Sequence, residues 1–210
     1  MPSALGRATV TATAVDLPHM VLTRDRLPPD LRAFEPLREG ELDNDTMAGH
    51  GFPGNTGASL RALGRITGYM REFGNAEASA ELQPGTLLVA ATVVHLFDDE
   101  DGVERWITDI FVRQFRENVG RPTEEGQELL SAEPFEPSAF SDQAVGMRAA
   151  QRSAMGIVSS TIVDFRVGRL LGVAFVVSAG PPRGGAGPEL AVALGRELET
   201  QIVRVVLDPR

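Results

Sequence analysis

The chain has no cysteine and no lysine, one tryptophan, one tyrosine and three histidines among its 210 residues. Without cysteine there is no disulfide, no thiol nucleophile and no thiolate metal site. All twenty basic residues are arginine, scattered singly among twenty-nine acids, and the net charge is −9 with a pI near 4.9. Nucleic-acid binding needs a concentrated basic footprint, so a polyphosphate partner is not expected. Long apolar runs are scarce as well, and none approaches the roughly 18 residues of a membrane span. Met1–Leu5 lacks the charged start and apolar core of a signal peptide, so the chain as written is expected to stay in the cytoplasm.

What is present suits a real core, since 42% of the residues are hydrophobic. The stretch from Ile157 to Val206 carries the strongest pattern. Thr161, Val163, Phe165 and Val167 alternate with Ile162, Asp164 and Arg166, the period of two of a strand. Gly168-Arg169 then suits a two-residue type II′ turn, which sets Val167 opposite Leu170, Phe165 opposite Gly172 and Val163 opposite Ala174. The return strand, Leu170–Val177, is apolar on both faces and belongs inside the sheet. After a Pro- and Gly-rich loop, Pro188 suits a first helical position, and Leu190, Leu194, Leu198, Ile202 and Val205 form an amphipathic stripe.

The first half is read in the same terms. Residues 1–15 are expected to be a flexible leader, the segment Leu17–Leu31 a surface wrap, and Glu39–Asn55 a long loop. Thr56 can cap a short helix through Leu60 and Leu63. Gly64–Phe73 reads as a strand in which Gly68 marks a bend or a close approach. Leu87–Phe97 is a strand apolar on both faces; from Val103 the period turns helical, with Asp98–Asp101 complementing the helix start. The two runs Leu87–Val94 and Leu170–Val177 echo each other, each leading into a helix. Common repeat ancestry and chance likeness between strands stay equally open. Between the halves, Glu124–Pro137 reads as an acidic connector.

The expectation is therefore an α+β fold: a mainly antiparallel β-sheet with two amphipathic helices packed on it, with a possible internal two-fold strand–strand–helix repeat. It would occupy residues 16–210, with pseudo-halves 16–120 and 127–210.

Three residues are the candidate ligand-binding positions. His50 follows Asp43, Asn44 and Asp45, where an imidazole and two carboxylates could share an ion or a proton; a solvated loop is the ordinary alternative. His95 lies inside an apolar strand on the face of Val93 and Phe97, which suits a hydrogen-bonded core histidine better than a catalytic one. Tyr69, like Trp106, is more simply a core residue than a platform. Asp164 and Arg166 share a strand face and read as a surface pair of small worth. Ser159-Ser160 lacks a G-x-S-x-G elbow, and the glycines before Pro188 lack a phosphate-loop motif. No catalytic residue, metal or cofactor is expected.

The motifs Leu22-Thr23 with Leu27-Pro28-Pro29, Gly64-Arg65-Ile66-Thr67-Gly68-Tyr69 ending in Phe73, Ser141-Asp142-Gln143-Ala144-Val145-Gly146, and the Phe165-Arg166-Val167-Gly168-Arg169 hairpin resemble a group of uncharacterised exported bacterial proteins and lipoproteins. More distantly, the layout looks like the extracytoplasmic sensor domains of some actinobacterial Ser/Thr kinases, where a helix-backed antiparallel sheet forms a cleft. The resemblance spans most of Asp16–Leu207. It implies an extracellular or envelope location and binding rather than catalysis, and it transfers no functional residue. Those relatives usually carry cysteines and an export signal, which this chain lacks; the cytoplasm is the alternative location. The expected partner is a small molecule, a lipid or an envelope protein held between the open sheet face and the loops at Glu39–Asn55 and Ala76–Gly85. A hydrolase or metal-dependent enzyme using His50 or His95 is one alternative, and a structural module forming a homodimer is another.

Overall fold

The computed structural model of the protein describes residues 4–75, 83–122, 128–153, 156–182 and 187–208. It is an α+β fold built on one antiparallel seven-stranded sheet. The strands are β1 (Glu35–Leu42), β2 (Arg65–Gly74), β3 (Leu87–Phe97), β4 (Glu128–Phe135), β5 (Ala144–Ser153), β6 (Gly156–Val167) and β7 (Leu170–Ala179), in the spatial order β1-β2-β3-β7-β6-β5-β4. Two meanders, β1–β3 and β4–β7, thus meet through their last strands. The β6–β7 hairpin has the expected register, with Val167 opposite Leu170, Phe165 opposite Gly172 and Val163 opposite Ala174. Gly168 at φ +56° begins the turn and Arg169 stays at negative φ, the combination a type II′ turn requires.

Alternation along β3 and β7 assigns the two covers. Val94, Leu96, Ala174 and Val176 face α7 (Pro188–Leu207), whose Ala191, Leu194, Leu198 and Ile202 are all fully buried. Val205 is only half-buried, and the buried stripe ends on Val206, four residues beyond Ile202, instead. The opposite face carries Val93, His95, Phe97, Leu171 and Val173. A helical rod covers one end of it: α5 (Glu100–Arg105), a π-helical turn at Trp106–Phe111, and α6 (Val112–Glu117). Val103, Trp106, Ile107 and Phe111 pack there with Phe97, Leu171 and Met147.

The two strand–strand–helix units therefore exist, but their helices lie on opposite faces. A two-fold axis between antiparallel neighbours stands perpendicular to the sheet and would put both helices on one face, so no such axis relates the two units.

Several segments differ from expectation. The segment taken as a flexible leader contains α1 (Ala4–Thr9), with Thr9 and Ala12 buried. Arg169 explains this: its guanidinium donates to the carbonyls of Thr9, Val10 and Ala12 at 3.0, 3.2 and 2.6 Å, and to Phe97 O at 3.1 Å. The supposed surface wrap is core. It forms α2 (Leu17–Met20) and two 3₁₀ turns, and Leu17, Met20, Val21, Leu22, Leu27 and Leu31 are all buried on the α7 side. The supposed loop at Glu39–Asn55 holds the end of β1 and α3 (Asn44–Gly49), capped by the Asp43 carboxylate accepting from Thr46 N at 2.7 Å. Thr56 does cap a helix, α4 (Gly57–Ala62), by accepting from Ser59 N. The connector contains β4, an edge strand that tolerates Pro134 because only one of its sides needs ladder bonds. The loop expected at Ala76–Gly85 falls mostly outside the described residues.

Candidate functional site

The rod-side face of the sheet gathers the unusual polar chemistry of the chain. A bulge in β2 between Arg65 and Thr67 sets Arg65 opposite Phe97 and Thr67 opposite Leu96, leaving Ile66 unpaired and 42% exposed. The extra residue turns Arg65 from the Tyr69 face to the His95 face, which is what such a bulge does to a side chain. Arg65 is 2% exposed. Its guanidinium donates to Asn44 Oδ1 at 2.7 Å, to Leu42 O at 2.8 Å and to His95 Nδ1 at 2.9 Å. The Asn44 amide in turn donates to Arg65 O and Ile66 O, closing the group. Arginine has only donors, so His95 Nδ1 is the acceptor and its proton sits on Nε2.

Burial, and then the neighbouring Arg65 charge, hold the His95 imidazole well below its ordinary range, so it is neutral. Burial also lowers Arg65 to about 10. Gly68 lies directly across from His95, and a Cβ there would come within 2.5 Å of His95 Nδ1 and 2.8 Å of Arg65 Nη2. The close approach read from Gly68 is therefore an approach to this pair.

Further along the same face, the His95 and Trp106 rings lie 6.3 Å apart, and Trp106 Nε1 donates to Asp164 Oδ2 at 2.9 Å. Asp164 is 1% exposed, and its Oδ1 is buried without a partner. Burial raises its carboxyl to about 7 against the pull of the Trp106 hydrogen bond. This corrects the expected Asp164–Arg166 surface pair. Arg166 instead meets Asp142 through two bonds of 2.9 and 3.1 Å, and Glu104 at 3.5 Å.

The three candidate positions are not assembled into one site. His50 is exposed beyond the end of α3. Tyr69 is half-buried on the opposite face, among the residues packed on the α7 core. His95 alone belongs to the polar row. Neither His50 nor His95 is hydrogen-bonded to a carboxylate among the described residues, and no three His, Asp or Glu side chains there are grouped to hold a metal. Arg65 and Asp164 were not singled out as site residues. The signal available for Asp164 was the apolar Ile162 beside it and the two-sided Leu170–Val177 strand across from it, both pointing to a covered face.

Beyond the rod, this face is an apolar floor. Phe175, Val177 and Val89 are each half-buried there, Val173 and Ile162 pack against the rod at its margin, and a small buried cluster of Leu42, Met70 and Val93 lies beside them. Arg38 pairs with the buried Glu72 at its margin. Clefts occur elsewhere: one of about 440 Å³ lies between Pro28–Asp30, Leu87 and the start of α7, and another of about 330 Å³ lies beside Asp142 and Arg166. Among the described residues no helix is long and apolar enough to cross a membrane.

These features define a helix-backed antiparallel sheet with one face incompletely covered. Among solved structures, the extracellular domain of PknH from Mycobacterium tuberculosis has a similar fold, with a TM-score of 0.56 over 90% of this chain and 97% of that one, at 8% sequence identity. At that identity the likeness is one of fold alone. No family model and no curated protein matches the chain.

Proposed function

We propose that the chain is a non-enzymatic, sensor-like binding domain working outside the cytoplasmic membrane, which holds an apolar small molecule, a lipid or an envelope protein on the open half of the rod-side face. The observation that carries this reading is the half-buried floor of Val89, Phe175 and Val177 beyond the rod, at the centre of a sheet whose other face is sealed by α7. Apolar surface left open at the middle of a sheet is the usual mark of an interaction site. The fold shared with an extracellular domain supports the location.

The hydrolase alternative draws no support from an exposed His50 and a His95 committed to Arg65. A homodimer would use the same floor, and light scattering separates it from ligand binding. The test is titration of the protein with a fluorescent apolar probe and with lipid vesicles, for wild type and Phe175→Ser. Saturable binding that weakens about tenfold or more in the variant is expected if the ring supplies part of the contact. No binding in either titration, together with a monomer by light scattering, overturns the reading.

A further inference from the structure

Asp164 lies mid-strand in β6 with Val173 across from it on β7 and Val145 on β5, under the helical rod. It accepts one hydrogen bond, from Trp106, and its second oxygen has none. A carboxylate offers about four acceptor positions, and one ionised in apolar surroundings with a single donor is costly. A neutral acid in the same place is far cheaper. Trp106 is also the first residue of the π turn at Trp106–Phe111. Such a turn bonds each residue to the fifth along rather than the fourth, so it has a regular α-helical alternative and commonly marks a working part of a helix.

We propose that Asp164 and Trp106 form a proton-operated latch between sheet and rod: the neutral acid lets the π turn pack dry against β6, and ionisation draws water to the unpartnered Oδ1 beneath the rod and lets the turn rearrange, with Trp106 still donating to the carboxylate. The latch does not depend on any ligand.

The charged and titratable groups around it leave ionised Asp164 without a dedicated counter-charge. On its own strand Arg166 is committed to Asp142 and Glu104. On the rod, Glu104, Arg105 and Asp109 are exposed, and Glu100 contributes only to the field at Arg166. On β3 His95 is neutral, and on β2 Arg65 is turned to Asn44, Leu42 O and His95. β7 and β5 present valines. The pKa of Asp164, raised by burial to about 7, agrees with this isolation and puts the transition near neutrality.

Trp106 is the single tryptophan, so it reports on the latch alone. The experiment follows its fluorescence and its one indole N–H cross-peak from about pH 5 to about pH 9, in wild type, Asp164→Asn and His95→Gln. The expected result is one transition with a midpoint near 7 in wild type, kept in His95→Gln and lost in Asp164→Asn, whose amide oxygen still accepts from Trp106. A wild type with no transition, a transition that persists in Asp164→Asn, or one that disappears only in His95→Gln overturns the proposal. Should Asp164→Asn not fold, carboxyl spectra of aspartate-labelled wild type decide. A carboxyl titrating together with the indole supports the latch; none titrating above about pH 5 refutes it.

Discussion

Asp164 and His95 titrate against each other in their effect on stability. Asp164 has its folded value raised from 3.8 to about 7, so between those values the native state keeps a proton that the unfolded chain has lost. Its contribution therefore falls as pH rises through that window. His95 has its folded value depressed below 6.5, so below 6.5 the unfolded chain binds a proton that the native state refuses. Its contribution falls as pH drops. Below 6.5 the two slopes oppose, each at most about 1.4 kcal/mol per pH unit, so the stability of wild type is expected to vary less with pH there than that of either single variant. Asp164→Asn should lose stability toward acid, and His95→Gln should lose it toward neutral pH. Parallel slopes in both variants would contradict the assignment.

At the same scale, Gly68→Ala drives a methyl group into the Arg65–His95 contact and is expected to cost about 1–3 kcal/mol in chemical denaturation. These residues were only partly legible. Gly68 and the face of His95 could be read from spacing. Arg65 could not, because a bulge reverses the face that alternation assigns. Asp164 was read as exposed because alternation gives a side and not its cover.

Among the elements, β3 and β7 were legible because each is flanked by strands on both sides and carries an apolar run, β6 because it alternates with period two, and α7 because of its amphipathic stripe. β1 and β4 are the sheet's edges, and their sequences, EPLREGEL and ELLSAEPF, carry charges, a proline and a bulge each. Those devices guard an edge against pairing with another chain, and they also erase the strand pattern. The N-terminal segment was missed for a different reason. Residues 4–12 form only a short helix of their own, and the Arg169 side chain fixes them to the sheet from the far end of the sequence. Arg169→Ala is accordingly expected to speed hydrogen exchange across residues 4–12 while leaving β3 and β7 protected, and unchanged exchange would refute that role. In α7, Leu198 is fully buried, and Leu198→Ala should cost about 2–5 kcal/mol by urea denaturation. Leu198→Asp, which buries a charge, should leave no cooperative transition.

For the molecule as a whole, the α+β class and the single mainly antiparallel sheet followed from period and composition, because the two central strands are apolar on both sides and need neighbours and covers. The direction in which each cover lies did not follow. Opposite placement of the helices makes the molecule asymmetric: α7 and the segment Leu17–Leu31 seal one side, while a shorter rod leaves part of the other open. A monomer by light scattering with saturable probe binding is the expected behaviour of that asymmetry, and a probe-insensitive dimer that separates in Phe175→Ser would move the open floor to a subunit interface.

The strand order carries one further consequence. β3 obtains its second neighbour only from β7, so during synthesis the first meander must wait for residue 179 before its last strand is enclosed. Until then a greasy border of eleven residues lies bare. A nascent chain stalled before β7 should be held by chaperones or aggregate, whereas one released after α7 has also emerged should be protease-resistant.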